Sequence, residues 1–213
     1  MKKVITVRAS SVPRLLECNQ AAFAKVPIDV PNEMARIGSA AHEAGAAYIT
    51  NGQVLDTREL ALRHNIDDND ELEYLIGSIR HAWEAELSKR FPDIVVEDRL
   101  EVTLHEDDDL RVVLSGSPDG ISHGATSVGV LDWKSGRLRE NFYFQVEAYA
   151  LLCSEVSGMT KATATVVWLR DRQWENFTFN ESQLQWLKKA IVSAVTAPQK
   201  TYRVGEHCVY CPR

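Results

Sequence analysis

Two charged side chains stand two residues apart where an apolar stretch of the sequence ends. The segment 128–136 begins with residues typical of a buried strand and then continues as Asp132-Trp133-Lys134-Ser135-Gly136. Residues i and i+2 of a strand point to the same side, so we expect Asp132 and Lys134 to project together, with Trp133 on the other face. A carboxylate beside an ammonium group at a strand end is either a reactive pair or an ordinary solvated ion pair.

A second carboxylate, Asp119, lies upstream in Ser115-Gly116-Ser117-Pro118-Asp119-Gly120. A short turn around Gly124 would bring Asp119 beside Asp132. Two carboxylates held close together repel each other unless a cation lies between them, and Mg²⁺ binds one or two carboxylates. A nearby lysine can then orient or deprotonate a water and stabilise charge that develops on a phosphate. The alternative is that Asp119 is only a turn residue.

His42, Gln145 and Tyr149 are further candidates for this chemistry. His42 follows small residues in Gly38-Ser39-Ala40-Ala41-His42, where it is either a metal ligand or an ordinary structural histidine. Gln145 and Tyr149 are i and i+4 and therefore share one face of a helix. They could contact a phosphate backbone or simply line a helix–sheet contact.

The composition is that of a soluble globular chain and does not exclude a nucleic-acid partner. The 213 residues are 45% hydrophobic, with 30 acids against 24 bases and a net charge of −6. The runs Asp67–Glu73 and Glu106–Asp109 hold nine of those acids and no base, which leaves 21 acids against 24 bases elsewhere. Any basic face must therefore be local.

No stretch approaches the ~18 apolar residues of a membrane span. Arg8, Ser10 and Ser11 interrupt the N-terminal segment before an apolar signal core can form. We therefore expect a cytoplasmic protein, and the length favours a single domain over residues 1–213.

The succession of predicted elements indicates an α/β fold. Spacing and stop signals predict helices over Ser10–Lys25, Asn32–Thr50, Asn69–Arg90, Asn141–Val156 and Glu181–Thr196. Short β-branched segments predict strands over Ile94–Leu104, Leu110–Ser115, Pro118–Ser122, Ser127–Lys134, Ala162–Leu169 and Trp174–Phe179. We expect a central mixed β-sheet flanked by helices, with residues 1–93 mainly helical, 94–197 forming the core and 198–213 forming an irregular tail.

The four cysteines occur in three settings. Cys208-Val-Tyr-Cys211 is a C-x-x-C pair, which in a cytosolic protein indicates a metal or redox site. Cys153 lies in a predicted helix and is typical of a buried small apolar residue. Cys18 lies within the first predicted helix, Ser10–Lys25.

Taken in order, these motifs resemble the PD-(D/E)XK nucleases of the RecB and AddB type, including the iron–sulfur exonucleases associated with CRISPR adaptation. The matching segments are Ser10–Cys18 with Ala21–Phe23, Gly38-x-x-x-His42, Ser115-Gly116-x-x-Asp119, Asp132-x-Lys134-Ser135-Gly136, Gln145-x-x-x-Tyr149 and Cys208-x-x-Cys211. Each motif is weak alone, and the series spans nearly the whole chain.

The resemblance implies a restriction-endonuclease-like core with a site for Mg²⁺ or Mn²⁺. The residues it implies are Asp119, Asp132, His42 and the backbone carbonyl of Trp133 for the metal, Lys134 for the attacking water, and Gln145 and Tyr149 for orienting the DNA strand or Lys134. Either Glu101 or Glu97 would add a further carboxylate behind the site.

The resemblance also implies a 4Fe-4S cluster, for which the family uses one early cysteine, a C-x-x-C pair and a fourth cysteine soon after. Cys18, Cys208 and Cys211 match three of these, and no fourth follows in the sequence. Either the sequence is a shortened form of the protein, or the cluster is absent, incomplete or ligated otherwise.

The activity implied is metal-dependent hydrolysis of DNA phosphodiester bonds, as an exonuclease acting on single-stranded ends. An alternative is a non-catalytic nuclease-fold subunit that binds DNA within a repair, recombination or CRISPR-adaptation complex. The intact Asp-x-Lys counts against that alternative, because a purely structural domain does not need a lysine beside two carboxylates. A third interpretation is an unrelated α/β domain whose motifs are coincidental.

Overall fold

The computed structural model describes residues 2–18, 32–96, 99–136 and 142–197, which form both helices and strands. The helices are α1 (Val12–Glu17), α2 (Glu33–Asn51), α3 (Thr57–His64), α4 (Asn69–Ala82), α5 (Tyr143–Ser157) and α6 (Glu181–Thr196). A 3₁₀ turn (Ala9–Ser11) precedes α1, and α4 continues through a π-turn (Trp83–Leu87) into a last turn (Ser88–Arg90). Within these described ranges, no helix is both long and apolar enough to span a bilayer.

The strands form two mixed sheets. They are β1 (Lys3–Arg8), β2 (Val95–Val96), β3 (Leu100–Glu106), β4 (Leu110–Gly116), β5 (Gly120–His123), β6 (Val128–Lys134), β7 (Ala162–Trp168) and β8 (Gln173–Phe179). One sheet has the order β1-β4-β3 and the other has the order β2-β5-β6-β7-β8. The β1–β4 and β6–β7 pairs are parallel, and the other pairs are antiparallel. This confirms the mixed α/β fold, with its strands divided between two sheets.

Strand β6 has both faces covered. Val128 and Val130 pack into a cluster with α5 and α6, whereas Leu131 and Trp133 pack into a second cluster with α2 and α4. Burial of each such large side chain stabilises the fold by about 1.5–3 kcal/mol. The period-2 alternation that separates the two clusters puts Asp132 on the side of Val130, facing α5.

Helix α2 ends where the sequence predicts. The Asn32 side chain accepts a hydrogen bond from the N–H of Ala35, which satisfies one open donor at the N-terminus. Gly52 closes the helix in the left-handed conformation, with φ of 71°. Between these caps, small residues such as Gly38 and Ala41 are buried, so α2 can pack closely on the strands.

Other predicted elements are also confirmed, with small differences at their ends. The hairpin around Arg170–Gln173 joins β7 to β8, and α6 has the predicted bounds. The predicted strand Ile94–Leu104 is two strands, β2 and β3, and the predicted helix Asn69–Arg90 contains the π-turn.

Two elements have no counterpart among the predictions. Strand β1 runs parallel to β4, with Ile5 and Val7 buried, but its partner lies far along the chain and no local turn indicates the pairing. Helix α3 begins at Thr57, after Asp56, whose side chain caps it, in a stretch with few apolar residues. The opening helix predicted over Ser10–Lys25 is described only through Glu17, because residues 19–31 lie outside the described ranges.

Glu147 on α5 provides a prediction about stability and pH. It is 3% exposed, and burial raises its pKa to about 7, above its ordinary value of 4.5. The folded state therefore holds a proton that the unfolded state loses, and stability falls as pH rises from about 4.5 to 7. We expect Glu147→Gln to match the wild type in unfolding free energy at pH 4 and to exceed it by up to about 3 kcal/mol at pH 8.

Urea denaturation of both proteins at the two pH values measures this difference. Glu175→Gln, at an exposed position of β8, is the matched control and should show no such gain. The interpretation is wrong if Glu147→Gln is no more stable than the wild type at pH 8.

Candidate active site

Asp119 lies in the short link between β4 and β5, and each of its two carboxylate oxygens has a hydrogen-bond partner. The backbone N–H of Trp133 donates to its Oδ2 at 2.6 Å, which ties this link to β6. Its Oδ1 lies 2.9 Å from Nδ1 of His42 on α2. The β5–β6 turn at Gly124 closes with a backbone hydrogen bond to Ser127. The structure thus brings Asp119 to the end of β6, as predicted.

Asp132 and Lys134 form an ion pair on one side of β6. The Lys134 Nζ lies 2.7 Å from Oδ2 of Asp132, and both side chains are largely buried. Burial raises the pKa of Asp132; the charge of Lys134 opposes this shift, and that of Asp119 adds to it. The pair is therefore not the solvated surface contact that the sequence left open, because its carboxylate is 4% exposed.

His42 joins this cluster from the other side. An ionised carboxylate only accepts hydrogen bonds, so Nδ1 of His42 must be the donor to Asp119. Burial lowers the pKa of His42, but the neighbouring carboxylates of Asp119 and Asp132 outweigh it, and the pKa is raised overall. With its proton on Nδ1, a neutral His42 presents the Nε2 lone pair as a potential ligand.

A close contact between α2 and the end of β6 explains the glycine four residues before His42. A Cβ atom on Gly38 would lie 2.6 Å from Oγ of Ser135, so a larger residue would push α2 away from the strand end. The Arg170 guanidinium, from the β7–β8 turn, donates to the Ser135 carbonyl at 2.8 Å and pairs with Glu71 on α4 at 2.6 Å. Ser135 is therefore held between α2 and the β7–β8 turn.

Gln145 and Tyr149 cover the site from α5. The Gln145 amide donates to the Tyr149 hydroxyl at 3.5 Å, which confirms that they share one helix face. Burial raises the pKa of Tyr149, and the charges of Asp132 and Asp119 raise it further, so the hydroxyl stays protonated. A Cβ on Gly116 would lie 2.9 Å from the Tyr149 ring, and this glycine therefore allows the ring to pack against the end of β4.

The donor atoms suit a hard divalent cation. Asp119 and Asp132 supply the carboxylate oxygens that Mg²⁺ and Mn²⁺ prefer, and His42 adds an imidazole nitrogen. The buried Oδ2 of Asp132 has an ion-pair partner, but no described residue forms a hydrogen bond with it. In the structure, His42 pairs with Asp119, and Lys134 pairs with Asp132. Within the described ranges, no three His, Cys, Asp or Glu side chains already surround one metal position.

Several other candidates lie elsewhere or outside the described ranges. Glu101 pairs with Arg99 at 3.0 Å on the surface, and Glu97 is not among the described residues. Cys18 follows α1 with a free thiol, and Cys208 and Cys211 lie outside the described part of the chain. Cys153 is buried, as expected, and burial raises the pKa of its thiol to about 12.

Sequence reasoning did not identify Arg170, which positions Ser135 through a contact between distant segments. Its only sequence signal is its place at the end of a predicted strand, which many surface arginines share.

A family model described as the PD-(D/E)XK nuclease superfamily matches residues 7–213. No curated protein matches the sequence. Similar solved structures include SSO0001, with 13% identity and a TM-score of 0.42 over 99% of this chain and 84% of that one.

An alkaline exonuclease (LHK-Exo) from Laribacter hongkongensis is similar at 11% identity and a TM-score of 0.34, over 89% of this chain and 87% of that one. LHK-Exo in complex with dAMP matches at 16% identity and a TM-score of 0.34, over 76% of this chain and 89% of that one. Because the family model spans almost the whole sequence, the chain belongs to the PD-(D/E)XK nuclease superfamily.

Proposed function

We propose that this single-domain protein is a divalent-metal-dependent DNA nuclease of the RecB and AddB type, acting as an exonuclease on single-stranded ends. The observation that carries the proposal is the close grouping of Asp119, Asp132 and Lys134. Asp119 is anchored to the backbone of Trp133, between the other two, and Lys134 lies 2.7 Å from Asp132. The exonuclease activity and the preference for single strands rest on the motif series alone.

Each residue of the site has a role suited to its position. Asp119 and Asp132 would hold Mg²⁺ or Mn²⁺, together with His42 and the backbone carbonyl of Trp133. Once bound, the cation supplies Lewis acidity to the phosphate that is cut.

The remaining steps belong to side chains of this chain. The Lys134 ammonium, buried beside Asp132, would orient the attacking water and stabilise the negative charge that grows on the phosphate oxygens. The Tyr149 hydroxyl, which stays protonated, and the Gln145 amide that donates to it would orient either the DNA strand or Lys134.

The proposal is tested with DNA labelled at the 5′ or the 3′ end, single- or double-stranded, in Mg²⁺, Mn²⁺ or EDTA. An exonuclease should release short labelled products from one end of single strands first, and only with metal. A protein that binds these strands but leaves all of them intact under every metal would instead be a non-catalytic subunit, as a repair, recombination or CRISPR-adaptation complex could contain.

A 4Fe-4S cluster on Cys18, Cys208 and Cys211, with a fourth ligand from elsewhere, is a separate part of the proposal. The free, partly exposed thiol of Cys18 at the end of α1 is compatible with this role. Protein purified without oxygen should then be brown and contain iron and sulfide, and Cys18→Ser should lose both. Colourless wild-type protein without iron would contradict the cluster and leave the nuclease proposal intact.

A further inference from the structure

The β7–β8 turn carries one side chain that contacts three other elements around the candidate active site. Nε of Arg170 donates to the Ser135 carbonyl just after β6 at 2.8 Å, and Nη2 lies 2.6 Å from Oε1 of Glu71 on α4. Nη2 also lies 3.8 Å from Sδ of Met34, near the start of α2. Arg170 therefore joins α4 to α2 and to the strand end that carries Lys134.

Two consecutive carbonyls at this strand end are held from the neighbouring strand. The Lys134 carbonyl accepts the backbone N–H of Leu169 at 3.0 Å, and the next carbonyl, that of Ser135, accepts the Arg170 side chain. The parallel β6–β7 ladder ends with the pair of Lys134 and Trp168, so a side chain takes over where strand pairing stops. A shift of Ser135 would turn the last peptide plane of β6, and with it the backbone from which the lysine projects.

The direction of the Arg170 guanidinium is itself fixed. The side chains of Arg170 and Glu71 are 29% and 21% exposed, and Oε1 of Glu71 is buried. A buried carboxylate that loses its cation is strongly destabilising, so the pair holds the guanidinium in place. The Arg170 carbonyl also accepts the Tyr74 hydroxyl of α4 at 2.8 Å. Backbone and side chain are thus both anchored to α4 while Nε points at Ser135.

We propose that Arg170 is a positioning residue for DNA hydrolysis, which holds Ser135 so that the neighbouring Lys134 ammonium keeps its direction beside Asp132. This inference rests on the proposed function, since it gives Lys134 a part in the cleavage of DNA. Displacement of a reacting group by about 1 Å can slow a reaction by roughly 100-fold. Loss of the Ser135 contact should therefore slow the chemical step and leave DNA binding unchanged.

Two double variants isolate the contact with Ser135. Glu71→Gln removes the carboxylate that loss of the arginine would leave buried and unpaired. In this background, Arg170→Gln places an amide nitrogen where Nε of the arginine lies, so it can still donate to the Ser135 carbonyl. Arg170→Met keeps a side chain of similar length without any donor. The two double variants therefore differ mainly in the hydrogen bond to Ser135.

Single-turnover cleavage of end-labelled DNA at saturating Mn²⁺ measures the effect, at a temperature where thermal unfolding shows all proteins folded. Glu71→Gln/Arg170→Met should cleave roughly 10–100-fold more slowly than the wild type, and Glu71→Gln/Arg170→Gln should stay within about threefold of it. The DNA concentration that gives half the maximal rate should be the same in all three proteins. Arg172→Met, which removes a guanidinium of the same turn that lies over the Tyr74 ring, is the control and should cleave at the wild-type rate.

A purely structural role for Arg170 would give another pattern, in which the cleavage rate follows Tm and the two double variants lose activity together. Equal rates for the two double variants, with a wild type that cleaves, would overturn the inference and leave the nuclease proposal standing. A wild type that cleaves no DNA under any metal would overturn the nuclease proposal and this inference with it.

Discussion

Lys134→Ala is expected to slow DNA hydrolysis by about 10²–10⁴-fold at saturating Mn²⁺. The ammonium group lies 2.7 Å from Asp132 and is mostly buried, and a water in its place would carry no positive charge. A single-turnover assay on end-labelled DNA measures the chemical step apart from product release. Lys161→Ala, which removes an exposed lysine just before β7, should cleave at the wild-type rate.

A loss of folding could imitate this result, because removal of Lys134 leaves a buried carboxylate without its partner. Lys134→Arg keeps the positive charge beside Asp132 but changes its shape and donor geometry. We therefore expect Lys134→Arg to fold with nearly wild-type thermal stability and still to cleave slowly. Normal cleavage by folded Lys134→Ala would exclude the role proposed for this lysine.

Asp119→Asn and Asp132→Asn are expected to abolish both cleavage and the stabilisation of the protein by Mn²⁺. A ligand that binds only the folded state at 100 times its Kd stabilises that state by about 2.7 kcal/mol. For a chain of this length that free energy raises Tm by about 5–10 °C. Each asparagine removes one charge of the carboxylate pair, so the Mn²⁺-dependent rise in Tm should largely disappear.

Thermal unfolding of these proteins with and without Mn²⁺ measures this effect. Asp171→Asn, in the exposed β7–β8 turn, controls for nonspecific cation binding and should keep the full rise. An equal rise in the wild type and in Asp132→Asn would place the cation somewhere else.

The centre of the site could be predicted because strand geometry is a local property. Alternation along β6 places Asp132 and Lys134 on one side and Trp133 on the other, as residue spacing indicates. The turn at Gly124 similarly indicates the antiparallel β5–β6 pair, which carries Asp119 to the end of β6. For these residues, the spacing along the sequence is therefore enough to predict which side chains lie close together in the fold.

The parts that could not be predicted depend on contacts between distant segments. The parallel pairing of β1 with β4 places Arg8 beside Ser115, although no turn connects the strands. The sequence showed a glycine at position 38, but only the packed structure shows that Ser135 requires it. The burial that raises the pKa of Asp132 likewise comes from surrounding elements and not from its neighbours in sequence.

The most direct test of the central claim is the rate of DNA hydrolysis as Mn²⁺ is returned to EDTA-treated wild-type protein. If Asp119 and Asp132 hold a catalytic cation, end-labelled single strands should stay intact without metal, and the rate should rise to a plateau as Mn²⁺ is added. Hydrolysis that is equally fast in EDTA, or DNA that stays intact at every Mn²⁺ and Mg²⁺ concentration, would contradict it.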